Sequence, residues 1–173
     1  MDKGYVWFAL NNSSTDYIEL SRELARSIKK FNKHNKVCVI TNKKVDEELF
    51  DFVKVLHQDD SAEQEWKLNN EYKVFNLTPF THTIKLEADM LFTQQTDWWW
   101  NYLWQHNQVF SYKCRNYKDE VMETVSTESY FTGTDCLMFT AACTILEEAR
   151  NHNSFINFAK QLSRIGRQSK KIF

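Results

Sequence analysis

Tyr5-Val6-Trp7-Phe8-Ala9-Leu10, followed by Asn11-Asn12-Ser13-Ser14-Thr15-Asp16, decides the fold. An unbroken apolar run of this length makes a strand buried on both faces, because a strand with one wet face alternates polar and apolar residues. The polar run ends it. Thr15 or Asp16 can then cap a helix on which Ile18, Leu20, Leu24, Ile28 and Phe31 share one face. Residues 32–35 stop that helix, and Val37-Cys38-Val39-Ile40-Thr41 is a second buried strand. A short helix over 45–52 and a third strand at Phe52-Val53-Lys54-Val55-Leu56 continue the alternation. Continuously apolar strands alternating with helices predict a three-layer α/β/α architecture with a mostly parallel sheet.

Further along, residues 62–77 read as a helix with Trp66, Leu68, Tyr72, Phe75 and Leu77 as its apolar contacts, and Pro79 interrupts it. Thr83-Ile84-Lys85-Leu86-Glu87-Ala88-Asp89-Met90-Leu91-Phe92 follows, an acidic-x-acidic step inside a strand-like run. Burying an unpaired carboxylate is costly, so a strand ending this way needs a cation, hydrogen bonds or solvent at its tip. Residues two apart in a strand share a face, and both oxygens can reach one hard divalent ion. The plainer reading is a strand end whose acids face water.

Asp97 can cap a helix holding Trp98 to Trp104, on which three adjacent indoles, about 100° apart, cannot all share the buried face. Val109-Phe110-Ser111-Tyr112 reads as a strand, Gly133 precedes a strand at Cys136-Leu137-Met138-Phe139, and 141–161 reads as a final helix. No repeat, low-complexity segment or linker divides the chain, so residues 1–173 are expected to form a single domain.

Composition narrows the function. A formal net charge of -1 argues against nucleic-acid binding by bulk electrostatics. The apolar runs are far shorter than a membrane span, no signal peptide opens the chain, and a cytoplasmic location is expected. Cys38, Cys114, Cys136 and Cys143 have no zinc-site spacing and are expected to be free thiols. Three glycines cannot build GxGxxG or GxxxxGK[ST], so any bound phosphate must be held by a metal and basic side chains. Ligands of parallel sheets gather beyond the carboxyl ends of the strands. Asn11 and Asn12, Thr41 and Asn42, and Glu87 and Asp89 all fall there.

In this order, the segments resemble glycosyltransferases of the GT-A fold, in particular the glycogenin-like family 8 enzymes. The resemblance rests on three segments: the opening strand, polar loop and helix; Leu77-Thr78-Pro79 through Asp89-Met90-Leu91; and Tyr130-Phe131-Thr132-Gly133-Thr134-Asp135 before a strand. It implies a sugar moved from a nucleotide-diphosphate sugar, a UDP-sugar, to an unknown acceptor, with Mn2+ or Mg2+ held by Glu87 and Asp89 in the place of the family's DxD. Leu10, Asn11 and Asn12 would line the base and ribose, Tyr17 would stack on the base, and Gly133 would border the sugar. Asp135 is the one candidate for an acceptor base.

A basic residue on the preceding helix would touch the donor. Lys67 and Lys73 both qualify, and spacing does not choose between them; a solvated helix lysine is the alternative for each. The chain departs from the family in two ways. Glu87 replaces an Asp, moving its carboxylate outward by roughly 1.5 Å. No late His-x-x-Gly-x-Lys segment follows Gly133, and His152 lacks the Gly and Lys spacing. The domain of the family continues further than this sequence, leaving three readings: a minimal or C-terminally truncated enzyme, a site completed by a partner or second copy, or lost activity. The competing function is a noncatalytic module of the same fold that binds a nucleotide-sugar or a protein. A nucleotide-binding regulator of another doubly wound class ranks last.

Overall fold

The computed structural model describes residues 2–45, 48–63, 68–104, 108–109 and 144–147. Strand β1 (Lys3–Ala9) lies at the centre of the sheet, with β2 (Lys36–Thr41) parallel on one side and β4 (His82–Lys85) parallel on the other. The third strand, β3 (Phe52–Val55), extends the sheet beyond β2, also parallel. β6 (Thr144–Glu147) and β5 (Gln108–Val109) complete it antiparallel beyond β4, for the order β3-β2-β1-β4-β6-β5. The expected α/β architecture with a mostly parallel sheet is therefore present.

The unbroken apolar runs are explained by two cores, one on each face of the sheet. Tyr5, Trp7 and Ala9 point to one side with Val37, Val39, Ile84 and Leu86; there the helix α1 (Tyr17–Phe31) buries Ile18, Leu24, Ala25 and Ile28. Val6, Leu10, Cys38 and Ile40 point to the other, against Leu56, Val74 and Phe80. Alternate side chains of one strand thus enter opposite cores, and both need to be apolar. Asp16 caps α1, accepting at 3.1 Å from the amides of Ile18 and Glu19. Trp7 donates its indole N–H to the buried Ser21 hydroxyl at 2.9 Å, satisfying the one polar atom of its ring. Cys38 is free and fully buried, and burial pushes its thiol up to about 12, so it stays protonated.

Gly4 is required for a close approach. A Cβ there would lie 2.8 Å from the carbonyl oxygen of Lys36 and against the Phe80 ring.

Several elements differ from the pattern-based expectation. No helix forms over 48–52, where Asp51 turns inward to accept from the amide of Val37 at 2.8 Å and to pair with Lys29 at 2.5 Å. The helix expected over 62–77 is, in its described part, a 3-10 segment (Leu68–Lys73) running into one α turn, α2 (Val74–Leu77). Residues 144–147, expected within a final helix, pair with β4 instead: their side of β4 would otherwise leave its ladder open. Helix α3 (Trp98–Leu103) forms as expected, but the Asp97 side chain does not cap it. The segment around Gly133 lies outside the described residues.

Candidate functional site

The chain runs from β1 outward to β2 and β3, then returns to place β4 on the other side of β1. The carboxyl ends of β1 and β4 therefore flank the point where the winding direction reverses, which is where open parallel sheets leave a crevice for ligands. In the register Val6 pairs with Lys85, and the ladder reaches one residue further through the Leu86 amide, which donates to the Val6 carbonyl at 2.8 Å. β4 then stops, while β1 continues to Ala9. The acidic step is a turn rather than a strand, closed by the Met90 amide donating to the Glu87 carbonyl at 3.3 Å. The turn buries Ala88, half-exposes Glu87 and exposes Asp89. Asp89 has no hydrogen bond or ion pair among the described residues.

Lys85 controls this turn. Its strand is buried at every position, and Lys85 itself is only 8% exposed, a burial that a lysine tolerates only when paired. Among the described residues it has two partners: Glu71 of the 3-10 segment at 2.5 Å, and Glu87. Burial disfavours its charge, but the two carboxylates outweigh that and hold its pKa above the ordinary lysine value. The pKa of Glu71 is raised as well, by burial first and further by the nearby Glu87, against the opposing pull of Lys85. One cation between two carboxylates leaves the group one negative charge in excess, and Asp89 adds another.

Glu71 is positioned by a polar network on the loop after β3. Asn70 donates to Asp59 at 2.7 Å and accepts from the amide of Asp60 at 3.0 Å. Tyr72 donates to Asp60 at 2.6 Å. Lys73 pairs with Asp60 at 3.1 Å and donates to the Gln58 carbonyl at 2.5 Å. Lys73 is thus bound into this network, whereas Lys67 lies outside the described residues, as do Gly133 and Asp135.

Four other candidates have structural occupations. Leu10, 2% exposed, is a core residue, in the cluster that holds Val74 and Phe80. Asn11 bridges the start of α1, donating to Asp16 at 2.9 Å and accepting from the Ile18 amide at 3.1 Å. Asn12 closes the polar loop, accepting from the amides of Ser14 and Thr15 at 3.0 and 2.7 Å. Tyr17, half-buried, packs on the α1 core. The pattern reading passed over Lys85 and Glu71. The available signal was a lysine inside an otherwise apolar strand immediately before two acids.

Carboxylate oxygens are the donors that Mn2+ or Mg2+ prefer, and an ion of this kind is held by one or two of them when phosphate oxygens and water supply the rest. Glu87, by the oxygen turned away from Lys85, and Asp89 fit that description. Among the described residues no group of three or more His, Cys, Asp or Glu side chains could hold a metal ion. The arrangement suits an ion that arrives with phosphate and does not suit a permanent all-protein cage.

An open, mostly parallel sheet with an acidic turn at its switch point defines an α/β domain of the doubly wound kind. Its particular likeness is to glycosyltransferases. The fold is shared with the glycosyltransferase GlyE of Streptococcus pneumoniae TIGR4 in its apo form, at a TM-score of 0.53 and 12% identity over 96% of this chain. The chain spans 39% of the length of GlyE. Staphylococcus aureus TarS aligns over 51% of this chain and 17% of its own, with 12% identity and a TM-score of 0.35. The sequence matches no protein-family model and no curated protein sequence. The chain thus has a glycosyltransferase-like, GT-A-like fold, and no described helix is long and apolar enough to cross a membrane.

Proposed function

We propose that this domain is the donor-binding part of a metal-dependent glycosyltransferase, taking a nucleotide-diphosphate sugar, a UDP-sugar, at the carboxyl edge of β1 and β4. The observation that carries this reading is the Glu87–Asp89 turn at the switch point of the sheet, with Asp89 exposed and carrying an excess of negative charge outward. Glu87 and Asp89 would hold the ion, which when bound supplies positive charge against the leaving diphosphate. Lys85 fixes the orientation of Glu87 by holding one of its oxygens. Glu71 and the network beneath it keep Lys85 from swinging out. Tyr17, half-buried at the first turn of α1, is the first aromatic side chain after β1, and its exposed part would stack on the base. Asn11 and Asn12 act at one remove, shaping the loop through side-chain bonds to its backbone.

Calorimetry with UDP and a set of UDP-sugars, with manganese and with a chelator, tests the reading. Binding that needs the metal and disappears in Asp89→Ala is expected. Absence of binding under every condition overturns it, and release of free sugar or its transfer to an added acceptor distinguishes catalysis from binding alone.

A further inference from the structure

At the opposite edge of the sheet, about 20 Å away along β1, lies a cleft that the donor reading leaves unused. It has a volume of about 460 Å³ and is lined by Lys3 at the start of β1, His34 and Asn35 before β2, and Gln95, Asp97 and Trp98 at the entrance to α3. That volume is in the range of small-ligand sites, roughly 300–1,000 Å³. Trp98 is its one large apolar side chain and is 61% exposed. The rest of this lining is amide, carboxylate, imidazole and ammonium.

The polar lining is held in place. Asp97 accepts from Asn35 at 2.6 Å through one oxygen and from Gln95 at 2.9 Å through the other. The Gln95 bond first, then the Asn35 bond and the nearby Lys3 and His34, keep its carboxyl below the usual range against the opposing effect of burial. Asn35 is itself 1% exposed, and among the described residues its Oδ1 has no hydrogen-bond partner, an orphaned acceptor at the wall of the cleft. Asn32 accepts from the amide of Thr96 at 2.7 Å, locking the end of α1 to the segment carrying Gln95 and Asp97. The Lys3 ammonium lies 5.1 Å from the centre of the Trp100 ring, and Trp100 is 3% exposed, so that cation is anchored to the core as well.

An exposed indole beside oriented amides and an ionised carboxylate matches one ligand chemistry. The flat ring covers the C–H face of a pyranose, while fixed amides and a carboxylate take its ring hydroxyls, donors and acceptors together. Lipids and other apolar ligands lack the apolar lining they need. Strongly anionic ligands meet Asp97 at the centre of the site. We propose that this amino-end cleft binds a neutral carbohydrate, with Trp98 as the stacking platform and Asp97, oriented by Asn35 and Gln95, as the hydroxyl acceptor. A nucleotide-sugar at the carboxyl edge is not required for it, and the two sites are tested by separate variants.

The test uses the full chain on a panel of immobilised neutral oligosaccharides of two to six hexose units, with sialylated and sulfated glycans beside them. The best ligand is then titrated in a chelator, with circular dichroism as the check that each variant folds. Because Trp98 is mostly exposed, its variants are expected to keep the fold. Neutral glycan should bind without metal and shift the Trp98 indole N–H resonance. Affinity should fall at least tenfold in Trp98→Ala and in Asp97→Asn, recover in part in Trp98→Phe, and stay unchanged in Asp89→Ala. Four results overturn the proposal: no glycan retained, preference for the anionic set, binding that survives Trp98→Ala, or competition by UDP.

Discussion

The two edges of the sheet use the same kinds of side chain to opposite ends. At the carboxyl edge a buried cation is flanked by two carboxylates, and the exposed Asp89 adds a further negative charge. At the amino edge a single carboxylate, Asp97, is flanked by amides and cations and is drawn inward as a fixed acceptor. One edge carries a surplus of negative charge. The other is close to electrically balanced and offers shape, an aromatic face and hydrogen bonds. Residues of similar polarity thus become a charged site or a neutral one according to the partner each carboxylate is given.

The largest effect should come from Lys85. Lys85→Met leaves Glu71 and Glu87 facing each other without a cation, and urea denaturation should report a loss of about 3 kcal/mol. A loss below ~1 kcal/mol would mean that water already screens the pair and the contrast between the edges is slight. At the amino end of β1, Gly4→Ala should cost about 2 kcal/mol in the same experiment, because its Cβ meets both the Lys36 backbone and the Phe80 ring.

The edges should also fail at opposite extremes of pH. Lys85 has a folded pKa above its ordinary value of 10.5, so its contribution is complete below that pH and lost as the pH rises through the folded value. Asp97 has a folded pKa below 3.8, so its contribution is present above that pH and lost as the pH falls through the folded value. Asp97→Asn should cost about 1 kcal/mol at neutral pH, with its partly wet setting limiting the effect, and should flatten the acid limb of a pH–stability profile while leaving the alkaline limb intact. An unchanged acid limb would remove Asp97 from the comparison.

Asp89→Asn should have the smallest effect, within about 0.5 kcal/mol of the parent in thermal or urea unfolding. Pairing that null effect on stability with complete loss of metal-dependent UDP binding would separate function from fold at the carboxyl edge. A large stability loss would mean that Asp89 serves the turn.

Much of the frame is readable along the chain. The apolar runs at Tyr5 to Leu10 and Val37 to Ile40 set strands buried on both faces, and both cores confirm this through the alternation of Trp7 and Val6. The stripe Ile18, Leu24, Ile28 after Asp16 sets α1 and its start. Local pattern fails where a distant partner outweighs it. Asp51 is drawn to Val37 and Lys29, so 48–52 is not helical, and residues 144–147 give up the expected helix for the open side of β4. Exposure of Trp98 and burial of Trp100 follow the 100° step of a helix, which predicted that the three indoles could not be buried together.

By itself, then, the sequence determined the α/β class, the first two strands, the first helix and the position of two acids beyond a strand, because periodicity and continuous apolarity act over a few neighbouring residues. Tertiary structure alone decided that β4 lies beside β1, that Lys85 draws Glu71 and Glu87 together, and that Asn35 meets Asp97 across 62 residues of chain. Those pairings depend on which strands become neighbours, and the polarity of a carboxylate or an amide shows only that a partner is needed.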